Sequence, residues 1–192
     1  MKPDEVLGNL DIQKGAEVAD FGCGAGYFTI PLAMRVGKQG VVYAIDVQDT
    51  ALESVRGRAK MHTLLNIETI RADLEKEGGS TLKDDSVDMV ILASILFQSR
   101  HKDVILKEAG RGLKKTGTIV LVEWQDGVSF GPHAAYRVTK DELKEVAKGE
   151  LWSSLTEEMR EELSGVITQN LESRRIEGDW QGLESKPNKK GD

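Results

Sequence analysis

The sequence predicts an α/β fold: a mostly parallel, doubly wound sheet with helices on both faces. Three observations carry this. Short apolar, β-branched runs alternate with longer stretches whose apolar residues recur at helical spacing. The run Ser86-Val87-Asp88-Met89-Val90-Ile91-Leu92 is nearly continuous in apolar residues, as a strand buried on both faces reads. The first strand-like run ends at glycines and passes straight into a helix-like segment, the joint from which a right-handed crossover starts.

Taken in order, Glu17 to Phe21 is the first strand. Tyr27 to Val36 is a helix with Ile30, Ala33 and Met34 on one face, and Pro31 near its start, where a missing N–H costs least. Gly40 to Asp46 is the second strand. Asp49 or Thr50 can cap a helix running to about Leu65, with Leu52, Val55, Ala59 and His62 at helical spacing. Asn66 to Ala72 and Ser86 to Leu92 are the third and fourth strands. Lys102 to Leu113 is a helix with Ile105, Leu106, Ala109 and Leu113 inward, and Gly117 to Trp124 is the fifth strand. The alternation of strand and helix holds through Trp124. After a loop from Gly127 to Pro132, Thr139 and Glu142 form a capping box for a helix through Lys148. A second capping box at Ser154 and Glu157 opens an amphipathic helix over Leu155–Leu171. Glu184 to Asp192 is polar and expected to be disordered.

Composition narrows the function classes. A chain of 192 residues fits one domain with an appendage. The net charge of −6 counts against a protein that holds nucleic acid by phosphate neutralisation, and 5% aromatic residues against a base-stacking platform. The single cysteine, Cys23, excludes an internal disulfide framework and a cysteine zinc cluster. No His, Cys, Asp or Glu group has metal-ligand spacing, so no metal is expected. No apolar run approaches the ~20 residues that span a bilayer, and Met1–Glu5 does not read as a signal peptide. The expectation is a cytoplasmic protein without a membrane partner.

The strongest motif is Asp20-Phe21-Gly22-Cys23-Gly24-Ala25-Gly26, between the first strand and the first long helix. Glycines there allow a ligand close to the backbone, and the helix start offers N–H groups. A nicotinamide-dinucleotide loop, G-x-G-x-x-G, would place its third glycine at position 27, which is Tyr27. An acid two positions ahead of the first glycine suits a cationic or hydroxyl-bearing ligand better than a pyrophosphate. Asp46, closing the second strand, is placed to accept from both hydroxyls of a ribose. Asp73, closing the third, can accept from an adenine amino group, with Leu74 lining the ring. All three acids fall at the carboxyl ends of their strands, where open parallel sheets bind ligands.

With these motifs in order, the chain resembles the class I S-adenosylmethionine-dependent methyltransferases, in particular the small-molecule group labelled type 11 or ubiquinone-biosynthesis-like. The resemblance rests on the glycine motif, Val42-Tyr43-Ala44-Ile45-Asp46-Val47, Ala72-Asp73-Leu74 and Val87 to Leu96, and covers about residues 3–148. It implies a Rossmann-like three-layer sandwich with strand order 3-2-1-4-5 and S-adenosylmethionine as cofactor. By the same resemblance, Asp20 and the loop Gly22, Cys23, Gly24, Gly26 and Tyr27 would hold the amino-acid part of the cofactor. Asp46 would hold the ribose and Val47 the adenine face. Asp73 and Leu74 would contact adenine, and Ala93, with Leu96 nearby, would line the methyl-bearing side. Cys23 is read as a small filler, not a nucleophile. The implied activity is methyl transfer to a small-molecule acceptor; methylation of RNA or protein, or a non-catalytic binding module, is the alternative. The Asn/Asp-Pro-Pro-aromatic signature of amino-group methylation is absent after the fourth strand. Gln98, His101, Trp124, His133 and Tyr136 are acceptor-side candidates, and no catalytic residue is assigned. Lys102, Lys107, Arg111, Lys114 and Lys115 form a modest basic stretch, read as a solvated face.

The chain also departs from the family pattern. An antiparallel hairpin, strands six and seven, should follow residue 148, but no such β-rich runs occur. Residues 149–183 read instead as a helical extension and 184–192 as a tail. From Glu150 onward ten acids face six bases, which supplies −4 of the net −6. Without the hairpin the fifth strand is an apolar edge, which the helix Leu155–Leu171 or a second copy pairing along 118–124 would cover. Gly110 and Gly112, late in a helix, each cost about 1 kcal/mol relative to alanine.

Overall fold

Five strands lie side by side, all parallel, in the order third, second, first, fourth, fifth. The computed structural model describes residues 3–123 and His133. The strands are β1 (Glu17–Phe21), β2 (Val41–Asp46), β3 (Ile67–Arg71), β4 (Val87–Ala93) and β5 (Leu113–Val122). The helices are α1 (Pro3–Leu7), α2 (Thr29–Val36), α3 (Asp49–Met61) and α4 (Lys102–Gly112), with one 3-10 turn at Leu96–Gln98.

The period-two alternation of the strands builds two apolar faces. Val18, Val42, Met89 and Ile91 pack with Leu7 of α1 and Leu32, Ala33 and Val36 of α2. Ala44 joins that side beneath Leu52 and Val55 of α3. Ala19, Phe21, Ile45, Val90 and Leu92 point the other way, against Ile105, Leu106 and Ala109 of α4. The result is the expected three-layer sandwich in the expected strand order.

Several boundaries differ from the sequence reading. α2 begins at Thr29, because Gly26 to Phe28 still turn, with the Gly26 N–H on the Cys23 carbonyl at 2.9 Å. Met34, expected inward, is 46% exposed; Leu32 and Val36 take the inward role with Ile30 and Ala33. α3 ends at Met61, short of Leu65. Thr63 adopts φ +55° and the Leu64 N–H returns to the Ala59 carbonyl at 2.9 Å, a left-handed stop. Neither Asp49 nor Thr50 caps it: Gln48 is the N-cap residue and its side chain makes no cap hydrogen bond. β5 starts at Leu113, so Lys114 to Thr116 are strand, and the pairing shifts register between Val87 and Met89. A Cβ on Gly112 would make an ordinary contact with Leu82, 3.4 Å away, so packing there does not demand the glycine.

The largest departure is that chain itself. No helix links β3 to β4; residues 72–86 cross as irregular backbone. The helical extension 149–183, the tail 184–192, the expected absence of a hairpin and the proposed cover helix lie outside the described residues.

Candidate functional site

The site forms at the carboxyl ends of β1, β2 and β3. Register places them level: Phe21 pairs with Ile45 and Leu92, and Asp46 with Arg71. The turn leaving β1 is tied to β2, since the N–H groups of Gly22 and Cys23 both donate to the Ile45 carbonyl, at 2.8 and 3.0 Å. Asp46 then acts through both oxygens. Oδ2 accepts the Gly24 N–H at 2.9 Å and Oδ1 the Gln48 N–H at 2.9 Å. Each oxygen keeps a lone pair for a further donor, and the neighbouring Val47 is 56% exposed.

The three glycines have different work. At Gly22 (φ +68°) an added Cβ would come within 2.5 Å of Ile95 Cδ1, and at Gly26 (φ +80°) within 3.0 Å of Val55. At both, positive φ and a crowding side chain together favour glycine. At Gly24 (φ +51°) a Cβ would meet nothing within 4 Å. That residue faces open space, so it is where the backbone can admit a ligand. Tyr27 stands half exposed beside it, edge-on to Phe28 with ring centroids 5.9 Å apart.

Asp20 lies beneath this opening, 1% exposed. Burial, with the nearby Asp46 charge adding to it, pushes its carboxyl up to about 6, although the Thr29 hydroxyl donates to Oδ2 at 2.6 Å and opposes the shift. A buried acid held this way gains from a cation. Cys23 is buried against Ala44, Leu52 and Val55, and burial plus the Asp20 and Asp46 charges push its thiol far up, so it carries no thiolate.

Asp73 follows β3. Its carboxylate accepts from Lys76 Nζ at 3.1 Å and the Glu75 N–H at 3.1 Å, which hold it below the ordinary carboxylate range. Leu74 is buried in the cluster that includes Leu106 and Ala109, rooting the turn in the core. Ala93 closes β4, half-buried. Leu96 has no exposed surface and packs in the core; its N–H donates to Glu123 Oε1 at 2.8 Å. Between them Ser94 takes φ +56°, its N–H on the Val122 carbonyl at 2.7 Å.

Of the acceptor-side candidates, Gln98, His101 and His133 are exposed, and Gln98 Nε2 donates to the Ser94 carbonyl at 2.7 Å. Trp124 and Tyr136 lie outside the described residues. The basic stretch is not simply solvated: Lys107 meets Glu77 at 3.1 Å, Lys114 meets Asp88 at 2.9 Å, and Arg111 pairs with both Glu108 and Asp84. Thr29, Ile95 and Glu123 were not singled out by sequence. Thr29 carried the only usable signal, a hydroxyl three residues past the last glycine. Among the described residues no group of three or more His, Cys, Asp or Glu is arranged to hold a metal, and no helix is long and apolar enough to cross a membrane.

The donor set discriminates between ligands. The N–H groups of Gly22, Cys23, Gly24 and Gly26 are all bonded inside the protein. They are not aimed outward, as a pyrophosphate would need. Two neighbouring carboxylates and an open glycine fit an ammonium and a ribose diol instead. Comparison with known proteins agrees. A family model described as a methyltransferase domain matches residues 12–184. The chain belongs to the class I S-adenosylmethionine-dependent methyltransferase family. The match continues past residue 148 into the segment 149–183. The demethylmenaquinone methyltransferase of Geobacillus stearothermophilus is 29% identical over 132 residues, 69% of this chain and 55% of that protein. The enzyme of the same name from Staphylococcus aureus (strain JH9) is 31% identical over 118 residues, 62% of this chain and 47% of its own length. This chain thus spans about half the length of these curated relatives. A crystal structure of a SAM-dependent methyltransferase from Aquifex aeolicus superposes with TM-score 0.69 at 25% identity, covering 76% of this chain and 77% of that one.

Proposed function

We propose that this methyltransferase-family chain transfers the methyl group of S-adenosylmethionine to a small-molecule acceptor. The observation that carries the reading is the pairing of buried Asp20 with Asp46 around the open Gly24. Asp20 would balance the ammonium of the cofactor's amino-acid part, with Gly24 giving the approach. The free lone pairs of Asp46 would take the ribose hydroxyls, Val47 would pack on the adenine, and the Asp73–Leu74 turn would flank its edge. Bound S-adenosylmethionine supplies a methyl group already activated by its sulfonium. The protein's part is alignment and exclusion of water, with Ala93 and Ser94 bordering the methyl-bearing side.

Both curated relatives are named for action on demethylmenaquinone, a small molecule, which supports an acceptor of that size. The ion pairs that occupy Lys107, Arg111 and Lys114 weaken the case for RNA. Cytoplasmic location belongs to the same proposal and rests on a composition with one cysteine. So does a homodimer through 118–124, since β5 is an edge of the described sheet; a mass of one chain, 21.1 kDa, by light scattering would remove it.

Calorimetry tests the core of the proposal. S-adenosylmethionine should bind saturably, NAD should not, and Asp46→Asn should weaken the former by about tenfold or more, the scale of a hydrogen bond to a charged group. Transfer of labelled methyl from the cofactor should enter low-mass fractions of a cell extract rather than RNA or protein. Absence of S-adenosylmethionine binding overturns the reading.

A further inference from the structure

The backbone crossing from β3 to β4 has no helix to hold it, yet it carries Asp73 and Leu74. Side chains of α4 do the holding, Glu108 foremost. Glu108, on α4 and 2% exposed, accepts at Oε2 from the Gly78 N–H (2.9 Å) and Arg111 Nε (3.0 Å). At Oε1 it accepts from the Ser80 N–H (3.0 Å), the Ser80 hydroxyl and Arg111 Nη2 (2.6 Å). Arg111 in turn donates through Nη1 to the Leu82 carbonyl (2.8 Å) and to Asp84. Burial alone would raise the Glu108 carboxyl. The hydrogen bonds from Arg111 and Ser80 outweigh it and hold the group below its ordinary range.

The bonds reach the candidate site through one residue. Gly78 and Ser80 flank Gly79, whose N–H donates to the Lys76 carbonyl at 2.9 Å and whose Cα packs on the Asp73 carbonyl so closely that a Cβ there would overlap it. On the inner side, Leu74 and Leu82 pack with Leu106 and Ala109 of the same helix. We propose that Glu108 and Arg111 are positioning residues of the cofactor site, fixing the Asp73–Leu74 turn where the adenine ring would lie. This rests on the function proposed above. It assigns a role in cofactor recognition to two residues on the opposite side of the sheet from Asp20, neither of which touches the ligand.

Glu108→Gln tests it, because the amide nitrogen would present a donor to amides that need an acceptor. In the full chain, affinity for S-adenosylhomocysteine should fall about tenfold, as when a charged hydrogen-bond acceptor is lost. In unliganded protein the Gly78 and Ser80 amides should exchange faster. A double-mutant cycle separates positioning from general destabilisation. In an Asp73→Ala background, Glu108→Gln should weaken binding by much less than it does in the parent chain. Ser80→Ala, which removes one donor, should give a smaller loss of the same kind and carries the same cycle if Glu108→Gln fails to fold. Equal affinity of the variant and the parent chain, or full multiplication of the two losses, would overturn the proposal. Failure of the parent chain to bind S-adenosylhomocysteine would instead defeat the functional reading, and this inference with it.

Discussion

Asp20 should make the unliganded protein less stable than it could be. Its carboxyl sits at about 6 in the fold against an ordinary 3.8. The folded state therefore binds the proton more readily than the unfolded chain, and stability falls as pH rises through the window from about 4 to 6. At ~1.4 kcal/mol per pKa unit, holding the ionised form above that window costs roughly 3 kcal/mol. Asp20→Asn removes the charge and leaves an oxygen for the Thr29 hydroxyl. In urea denaturation at pH 8 without ligand, the variant should be ~2–3 kcal/mol more stable, and the gap should close to near zero by pH 4. Ligand reverses the ranking of usefulness. At a hundred times its dissociation constant S-adenosylmethionine would stabilise the parent chain by about 2.7 kcal/mol, nearly closing the gap at pH 8, while the variant gains little. A difference that is absent at pH 8, or that does not change with pH, would refute the claim that burial governs this carboxyl.

Three further outcomes follow from the glycine turn and its surroundings. Gly22→Ala combines a left-handed φ with a Cβ driven into Ile95, and should cost about 2–5 kcal/mol by thermal or urea melting; Ile95→Val in the same chain should recover part of it. Gly24→Val has open space around its Cβ, so the variant should stay folded with a loss of about 1–3 kcal/mol from backbone strain, yet calorimetry should find no cofactor binding. Thr29→Val removes the stronger of the two Thr29 bonds that oppose the upward shift of Asp20 and keeps the backbone one, so the pH midpoint for cofactor binding should move above that of the parent chain.

The parts of the fold that were legible in sequence are those governed by local periodicity. Val87 to Leu92 had to be a doubly covered strand, and the acids at positions 20, 46 and 73 fell at strand ends because each followed an apolar run. What was not legible depended on contacts distant in sequence. Lys114 to Thr116 carry no apolar signal, and they extend the strand as a bulge between Leu113 and Thr118, which pair with Val87 and Met89 of β4. Met34 looked inward by spacing, but α1 and the sheet take up the residues on either side of it. The crossover after Arg71 resembled any polar connection, since nothing in Gly78-Gly79-Ser80 announces a carboxylate twenty-eight residues further on. The same limit hid Ile95 behind Gly22: a glycine motif suggests ligand space, and only coordinates show which of its members gives it.

Two residues of β2 serve as a datum for the whole site. The Ile45 carbonyl locates the glycine turn, the Asp46 side chain locates Gly24 and the entry to α3, and the Asp46 carbonyl receives the Ala72 N–H at 3.0 Å, which locates the start of the Asp73 turn. Distances among the three acids are thus measured first from one peptide segment in the middle of the sheet, with α4 bracing the far side of the Asp73 turn. Substitutions at solvent-facing positions of α2, α3 or α4 that leave Thr29, Val55, Glu108 and Arg111 in place can accumulate without altering the spacing that a nucleoside would meet. A change at position 45 or 46 that moves the backbone displaces all three reference points together.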